Sequence, residues 1–293
     1  MQVPVEYKEK VREAILADLE NYGGSSNGYA NSLGINKSVL SRLKQGETDK
    51  ILSDVKWLTI GGKLGVTLKE SQWKGVKTKV YKRIEQDLAK CKEHSTSKIL
   101  VDDCGIGKTF SAKRIARQMK NTFYIDCSQA TTKNQFIKEL ARTIGVGTEG
   151  TYADIFSAIK QYLNGVLEKP LVILDEAGDL EKTAFAKIKS LWNATEYNCG
   201  WYMMGADGLR TQLERGVDHK KNGFKEIYDR YAREFTKITP IGKEDRDAFR
   251  RELLTQVATV NAPNKKQIPK LINQLVANGQ SLRQLRDKLT TLQ

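Results

Sequence analysis

The sequence predicts an α/β fold: a parallel sheet with flanking helices, an all-α segment before it and a small helical lid after it. Three observations predict it. Strand-length apolar runs alternate with stretches of helical periodicity between residues 97 and 240, the pattern of a parallel sheet whose strands are joined by helices. The first of these runs enters a glycine-rich loop that opens a helix. The residues on either side of this region show helical spacing only.

Composition narrows the class. The 293 residues suit two domains or three small ones, with 39% hydrophobic and 29% charged residues. Mean hydropathy is −0.52, and no apolar run approaches the ~20 residues of a membrane span. The start, MQVPVEYKEKVREAIL, is charged from its sixth residue and is not a secretory signal. No membrane partner is expected. The four cysteines (Cys91, Cys104, Cys127 and Cys199) form no CxxC pair, and two histidines supply no zinc site. Unpaired cysteines suit a reducing cytosol, where they are expected as small core residues. Forty-nine basic against 35 acidic residues give a formal charge of +14, which points to a polyanionic partner. The excess is uneven: residues 1–67 are almost neutral, whereas 68–98 and 243–293 are strongly basic.

Residues 5–22 place Val11, Ala14, Ile15 and Leu19 at helical spacing. Gly23-Gly24 ends that helix, and Ser26 or Asn27 is placed to cap the next. A short helix carrying Ala30 and Leu33 then meets Gly34, which can take the positive φ of a tight turn. The following helix turns Val39, Leu40 and Leu43 inward and leaves Lys37, Ser38, Ser41, Arg42 and Lys44 outward. Gly61-Gly62 and Gly65 mark the end of this domain, set at residues 1–67. The arrangement resembles the helix-turn-helix of phage-repressor-like proteins. That resemblance implies that Lys37, Ser38, Ser41 and Arg42 face the DNA major groove. A helical bundle without DNA contact is the alternative.

Residues 68–98 form a basic linker. Val76, Val80, Ile84 and Leu88 recur every four residues, and Lys74, Lys77, Lys79, Lys82 and Arg83 occupy the other faces beside Trp73 and Tyr81. Two readings stand: a nucleic-acid strip, or an amphipathic helix docked on the next domain with a solvated back.

The core is expected over residues 99–242. Ser97–Val101 reads as a strand and runs into Asp-Asp-Cys-Gly-Ile-Gly-Lys-Thr109. Strand, glycine loop, Gly-Lys-Thr and helix make a phosphate-binding loop. Gly105 and Gly107 let backbone N–H groups wrap phosphates, with Ile106 and Phe110 part of the same nucleotide contact. The helix dipole points its positive end at them. Lys108 reaches the outer phosphates, and the Thr109 hydroxyl binds Mg²⁺. Asp102 stands where the pattern has its first glycine, with Asp103 beside it. These acids either weaken nucleotide binding or turn outward. Further strands are expected at 121–126, 169–175, 199–207 and 235–240. The third delivers Asp175 and Glu176 to its end, the Walker B pattern: Asp175 supports Mg²⁺ and Glu176 acts as general base toward water.

This order of parts resembles the AAA+ ATPases. The resemblance implies a polar sensor at Asp207 and an arginine acting on a neighbouring subunit's nucleotide at Arg230 or Arg233, with Arg215 a weaker candidate. It also implies a helical lid (243–293) whose Gly279-Gln-Ser-Leu-Arg-Gln-Leu-Arg286 makes Arg283 a second sensor and Arg286 a surface residue. The full order of helix-turn-helix, basic linker, compact core and basic lid resembles the MuB-like target-selection ATPases of transposing phages and transposons. That resemblance implies ATP and Mg²⁺ as cofactors and helical self-assembly on double-stranded DNA with little sequence preference. A DDE transposase is the implied partner, and the cytoplasm of a bacterial host the implied location. It would place DNA on Lys133, Lys138, Lys182, Lys187 and Lys189, although a solvated face explains the same spacing. A helicase loader and an ATP-switched helix-turn-helix regulator are the competing readings.

Overall fold

A computed structural model describes residues 3–68, 73–219, 224–230 and 234–291. Four helices open the chain: α1 (Val5–Glu20), α2 (Ser26–Leu33), α3 (Lys37–Lys44) and α4 (Asp54–Leu64). Val11, Ile15, Tyr29, Leu40, Leu43 and Trp57 close their own apolar core. Ser25, not Ser26 or Asn27, caps α2: its hydroxyl accepts from Gly28 N–H at 3.0 Å. Gly34 takes φ +64° and closes α2, as the turn requires. Gly61 and Gly62 lie inside α4, and Gly65 caps it. A side chain at Gly61 would collide with the Tyr7 hydroxyl, so this glycine serves close packing of α1 on α4.

The bundle is fastened to the α/β core. Asn21 donates to the Arg117 carbonyl at 3.1 Å, and Gly23 N–H donates to Asn121 Oδ1 at 2.7 Å. The Tyr22 hydroxyl lies 2.7 Å from the Ile144 carbonyl and 2.8 Å from the Tyr162 hydroxyl.

Helix α5 (Lys79–His94) is capped by Thr78 and buries Val80, Tyr81, Ile84, Leu88 and Cys91. It docks on one face of the sheet, against Leu100, Ile173, Tyr202 and Met204. The helix is docked by its apolar face, while Lys79, Lys82 and Arg83 on its other faces are exposed. Tyr81 is fully buried rather than interleaved with exposed lysines.

The sheet has five parallel strands in the order β2-β3-β4-β1-β5. They are β1 (Ser97–Val101), β2 (Thr122–Asp126), β3 (Leu171–Asp175), β4 (Gly200–Gly205) and β5 (Phe235–Thr236). Helix α6 (Lys108–Ala116) follows β1; α7 (Lys133–Ile144) and α8 (Tyr152–Gly165) lie between β2 and β3; α9 (Lys182–Ala194) follows β3. Helices α10 (Asp207–Asp218) and α11 (Phe224–Arg230) lead to β5. Strands β1, β3 and β4 are buried almost throughout, as parallel strands covered on both faces must be. β5 stops after two residues instead of running to 240. The reason is a long-range contact: Ile238 and Thr239 give their N–H groups to the Asp102 carboxylate rather than to a strand.

The chain ends in α12 (Lys243–Asn261), α13 (Ile268–Ala277) and α14 (Leu282–Thr291). Leu254, Val257, Ile272, Leu275, Leu285 and Leu289 form a separate lid core. Leu253 of α12 packs into the sheet's cluster instead, so this helix bridges lid and sheet. No helix among the described residues is long and apolar enough to cross a membrane.

Candidate nucleotide-binding site

The loop between β1 and α6 owes its shape to two glycines. Gly105 and Gly107 adopt φ +72° and +98°, a region that side chains other than glycine's enter at a cost. Ile106 anchors the loop in the sheet's cluster. Gly107 stands at the N-cap of α6 with no side chain to satisfy the helix's first N–H groups, leaving them open to an anion. Lys108 is buried, and its ammonium donates to the carbonyls of Asp102 at 2.7 Å and Asp103 at 2.8 Å.

A cavity of about 360 Å³ lies over this loop. Lys108, Thr109, Glu176 and Arg283 line it together with Trp73, Val76, Phe110, Val257 and Leu282. Lys74 and Arg286 complete the basic lining, and Glu176 is the one carboxylate among the described residues around it. Cationic side chains beside apolar and aromatic ones in one cavity suit a polyphosphate joined to a flat heterocycle. Arg286 is exposed, as expected of a surface residue, and also lines this cavity with its guanidinium 5.9 Å from the Trp73 ring centre. Trp73 lines the cavity too and is partly buried.

β3 delivers the acids. Asp175 is fully buried; its Oδ2 accepts from the Tyr124 hydroxyl at 2.6 Å and its Oδ1 from Glu176 N–H at 2.9 Å. Burial, then the neighbouring Asp175 carboxylate, pushes the Tyr124 hydroxyl's pKa up. Glu176 sits at φ +49°, ψ +41°, a strained conformation for a side-chain-bearing residue. Its carboxyl pKa is raised by burial first and by Asp175 second. A strained acid with a raised pKa, opening onto a cationic cavity, has the properties of a general base. Sequence reasoning missed Tyr124: the alternation in Thr-Phe-Tyr-Ile-Asp126 puts it opposite Phe123 and Ile125 but gives it no partner.

Thr109 and Asp175 offer a hydroxyl and a carboxylate, hard oxygen donors that suit Mg²⁺ completed by phosphate oxygens and water. Among the described residues, no cluster of three or more His, Cys, Asp or Glu gathers to hold an ion alone.

Other expected residues lie elsewhere. Asp207 begins α10 and lines an adjacent cavity of about 480 Å³ with Asp102, Thr239 and Arg246, a cavity that neither Lys108 nor Glu176 lines. Arg230 ends α11, with its side chain outside the described residues, as is all of Arg233. Asp102 and Asp103 neither face the phosphate position nor turn to solvent; both carboxylates are engaged on the loop's far side. Cys91, Cys127 and Cys199 are core residues as expected, but Cys104 is exposed on the loop.

A protein-family model described as "AAA domain" matches residues 92–213. The fold is that of an AAA+ P-loop ATPase. The chain is similar to the Orc1 protein of Aeropyrum pernix, determined in complex with DNA. The TM-score is 0.53 and the identity 13%, covering 74% of this chain and 60% of that one. Cdc6p from Pyrobaculum aerophilum gives a TM-score of 0.47 at 16% identity, over 66% of this chain and 54% of that one. The chain thus spans less than two thirds of either protein. No curated protein matches it.

The expected DNA residues fall into groups. Lys37, Ser38, Ser41 and Arg42 are carried on α3, where Arg42 pairs with Glu47 at 2.6 Å. α7 and α8 start together, bringing Lys133 5.1 Å from the Tyr152 ring centre. Lys187 of α9 lies 5.6 Å from the same ring and Lys160 5.3 Å from Phe156, whose ring stacks on Tyr152. Lys138 and Lys182 are exposed outside this group. Lys189 is paired with Glu226 at 2.7 Å.

Proposed function

We propose that this protein is an ATP-hydrolysing AAA+ ATPase of the MuB-like kind. In this reading it assembles as helical filaments on double-stranded DNA with little sequence preference, in the cytoplasm of a bacterial host. It delivers that DNA to a DDE transposase and stimulates transposition. One observation carries the nucleotide part: loop, strand end and lid bring Lys108, Thr109, Glu176 and Arg283 to one cavity. Lys108 and the open N–H groups of α6 bind the phosphates. Trp73, Val76 and Phe110 take the base, and Arg286 steadies Trp73. Glu176 accepts a proton from the attacking water, while Arg283 balances charge developing on the terminal phosphate. Thr109 and Asp175 would hold Mg²⁺, which neutralises phosphate charge when bound. The trans arginine is assigned to Arg230 or Arg233, and Asp207 to a sensor role.

The DNA part rests on the charge of +14 and on the group of Lys133, Lys160 and Lys187 over Tyr152 and Phe156. Ring faces hold the ammonium groups in place, which lowers the entropy lost when phosphates dock. Phosphate release from Mg-ATP, with and without random-sequence duplex DNA, tests this reading. Turnover that DNA stimulates supports it; no turnover in either condition contradicts it. The exposed Lys37, Ser38 and Ser41 of α3 keep the regulator reading in view. A footprint at one defined sequence would favour that reading, and uniform coating the target-selection one.

A further inference from the structure

The phosphate-loop pattern has a glycine where this chain has Asp102. That aspartate is 4% exposed, and its carboxylate is satisfied by three backbone donors. Oδ2 accepts from Ile238 N–H at 2.6 Å and Thr239 N–H at 2.9 Å, and Oδ1 accepts from Asp103 N–H at 2.7 Å. The residue therefore joins the loop to the segment that leaves β5. Asp103 makes the second arm: Nη2 of Arg246, on α12, lies 3.1 Å from both its oxygens. The lid also reaches the loop directly. Leu282 N–H donates to the Gly105 carbonyl at 3.2 Å, and Ser281 fills the space a side chain at Gly105 would need.

Lys108 connects these arms to the phosphate position. Its ammonium is bound to the carbonyls of the same two aspartates, 102 and 103. A phosphate in the loop competes for that ammonium and frees both carbonyls. At the two far ends, Thr239 Oγ1 and Arg246 Nε are buried with no hydrogen-bond partner among the described residues. Buried polar atoms left so are costly, and they mark places where a second arrangement gains bonds.

We propose that Asp102 and Asp103 are positioning residues that tie the state of the phosphate loop to the segment after β5 and to the lid. Phosphate drawing on Lys108 shifts the backbone of 102–103. The two carboxylates pass that shift to residues 238–239 and to Arg246 of α12. A glycine at 102 has no group with which to do this. The proposal rests on the nucleotide reading above, but its arms exist without nucleotide and are tested without it.

The test is hydrogen exchange of the full chain, alone and with Mg-ATPγS, combined with steady-state ATP turnover. Without nucleotide, Asp103→Ala is expected to speed exchange in α12 about tenfold, and Asp102→Gly to do the same at residues 237–241. With Mg-ATPγS, the wild-type chain is expected to change its exchange in both places; Asp103→Ala protects the loop but no longer changes α12. Asp102→Gly, although it restores the common pattern, is expected to lower kcat with KM little changed. If that variant fails to fold, Asp102→Asn, which keeps shape and one acceptor, gives an intermediate exchange rate. Arg246→Lys is expected to recover part of what Arg246→Ala loses in α12. Wild-type exchange at both places in the nucleotide-free variants would overturn the proposal, as would unchanged or faster turnover in Asp102→Gly. If the wild-type chain ignores Mg-ATPγS, the nucleotide reading fails, and the nucleotide-free comparison still decides whether the two arms exist.

Discussion

Replacing Tyr124 by phenylalanine removes one hydroxyl and tests the build of the acidic end of the site. That hydroxyl donates to Asp175 Oδ2 at 2.6 Å, and Asp175 has no exposure to water. Glu176 N–H serves the other oxygen, Oδ1. The ring itself stays, and so does the Lys113 ammonium 5.1 Å from its centre, so packing changes little. The loss is one hydrogen bond to a charged acceptor, about 1.5–3 kcal/mol, since no water replaces the donor at a buried carboxylate. That corresponds to a shift of roughly 10- to 150-fold in the unfolding equilibrium. Urea unfolding followed by circular dichroism reads it as a lower midpoint with an unchanged slope. Saturating Mg-ATPγS is expected to shrink the difference, because a cation at Asp175 balances the carboxylate charge that the hydroxyl had balanced. A loss below about 0.5 kcal/mol, or a larger loss with Mg-ATPγS than without, would refute the assignment.

Four further outcomes are expected from the same geometry. Glu176→Gln is expected to keep nucleotide binding and to lower turnover by about 10²–10⁴-fold, the range for loss of a general base; a smaller change in single-turnover phosphate release would remove that role. Because the folded state raises the Glu176 pKa, its contribution to stability is present below the unfolded pKa and is lost as pH rises through the folded one. The Gln variant should therefore gain stability over wild type near neutral pH and lose that part of the pH dependence, as thermal melts from acid to neutral pH would record. Lys108→Ala should weaken ATPγS binding by roughly 10- to 150-fold, the worth of one charged hydrogen bond; unchanged affinity in calorimetry would sink the phosphate assignment. The Lys133→Ala, Lys187→Ala double variant should reduce the salt slope of duplex binding by about 1.8, two phosphates at about 0.9 each, and equally for any sequence. Lys189→Ala, whose ammonium is held by Glu226, serves as the control expected to leave the slope unchanged.

Much of the site is readable in the sequence because its chemistry is local. Gly-Ile-Gly-Lys-Thr109 must form one turn and one helix start, and four apolar residues before Asp175 must form one buried strand. The turn between α2 and α3 is legible for the same reason: Gly34 needs its positive φ within a few residues of Leu33 and Leu40. The features that escape sequence reasoning depend on long-range pairs. The Tyr124 bond to Asp175 spans 51 positions, and the Asp102 bonds to 238 and 239 span 136 and 137. The same distance hides the short β5, whose end is set by a residue in the phosphate loop. The contact of Trp73 with Arg286 over the loop is hidden for the same reason, since it forms only when the lid is folded over the loop.

Nucleotide-gated assembly on DNA is met most directly by electron microscopy of the protein with random-sequence duplex DNA, with and without Mg-ATP. Continuous helical filaments are expected with Mg-ATP and none without it. Isolated rings or single bound particles with Mg-ATP, or filaments that form equally well without it, would contradict nucleotide-gated assembly.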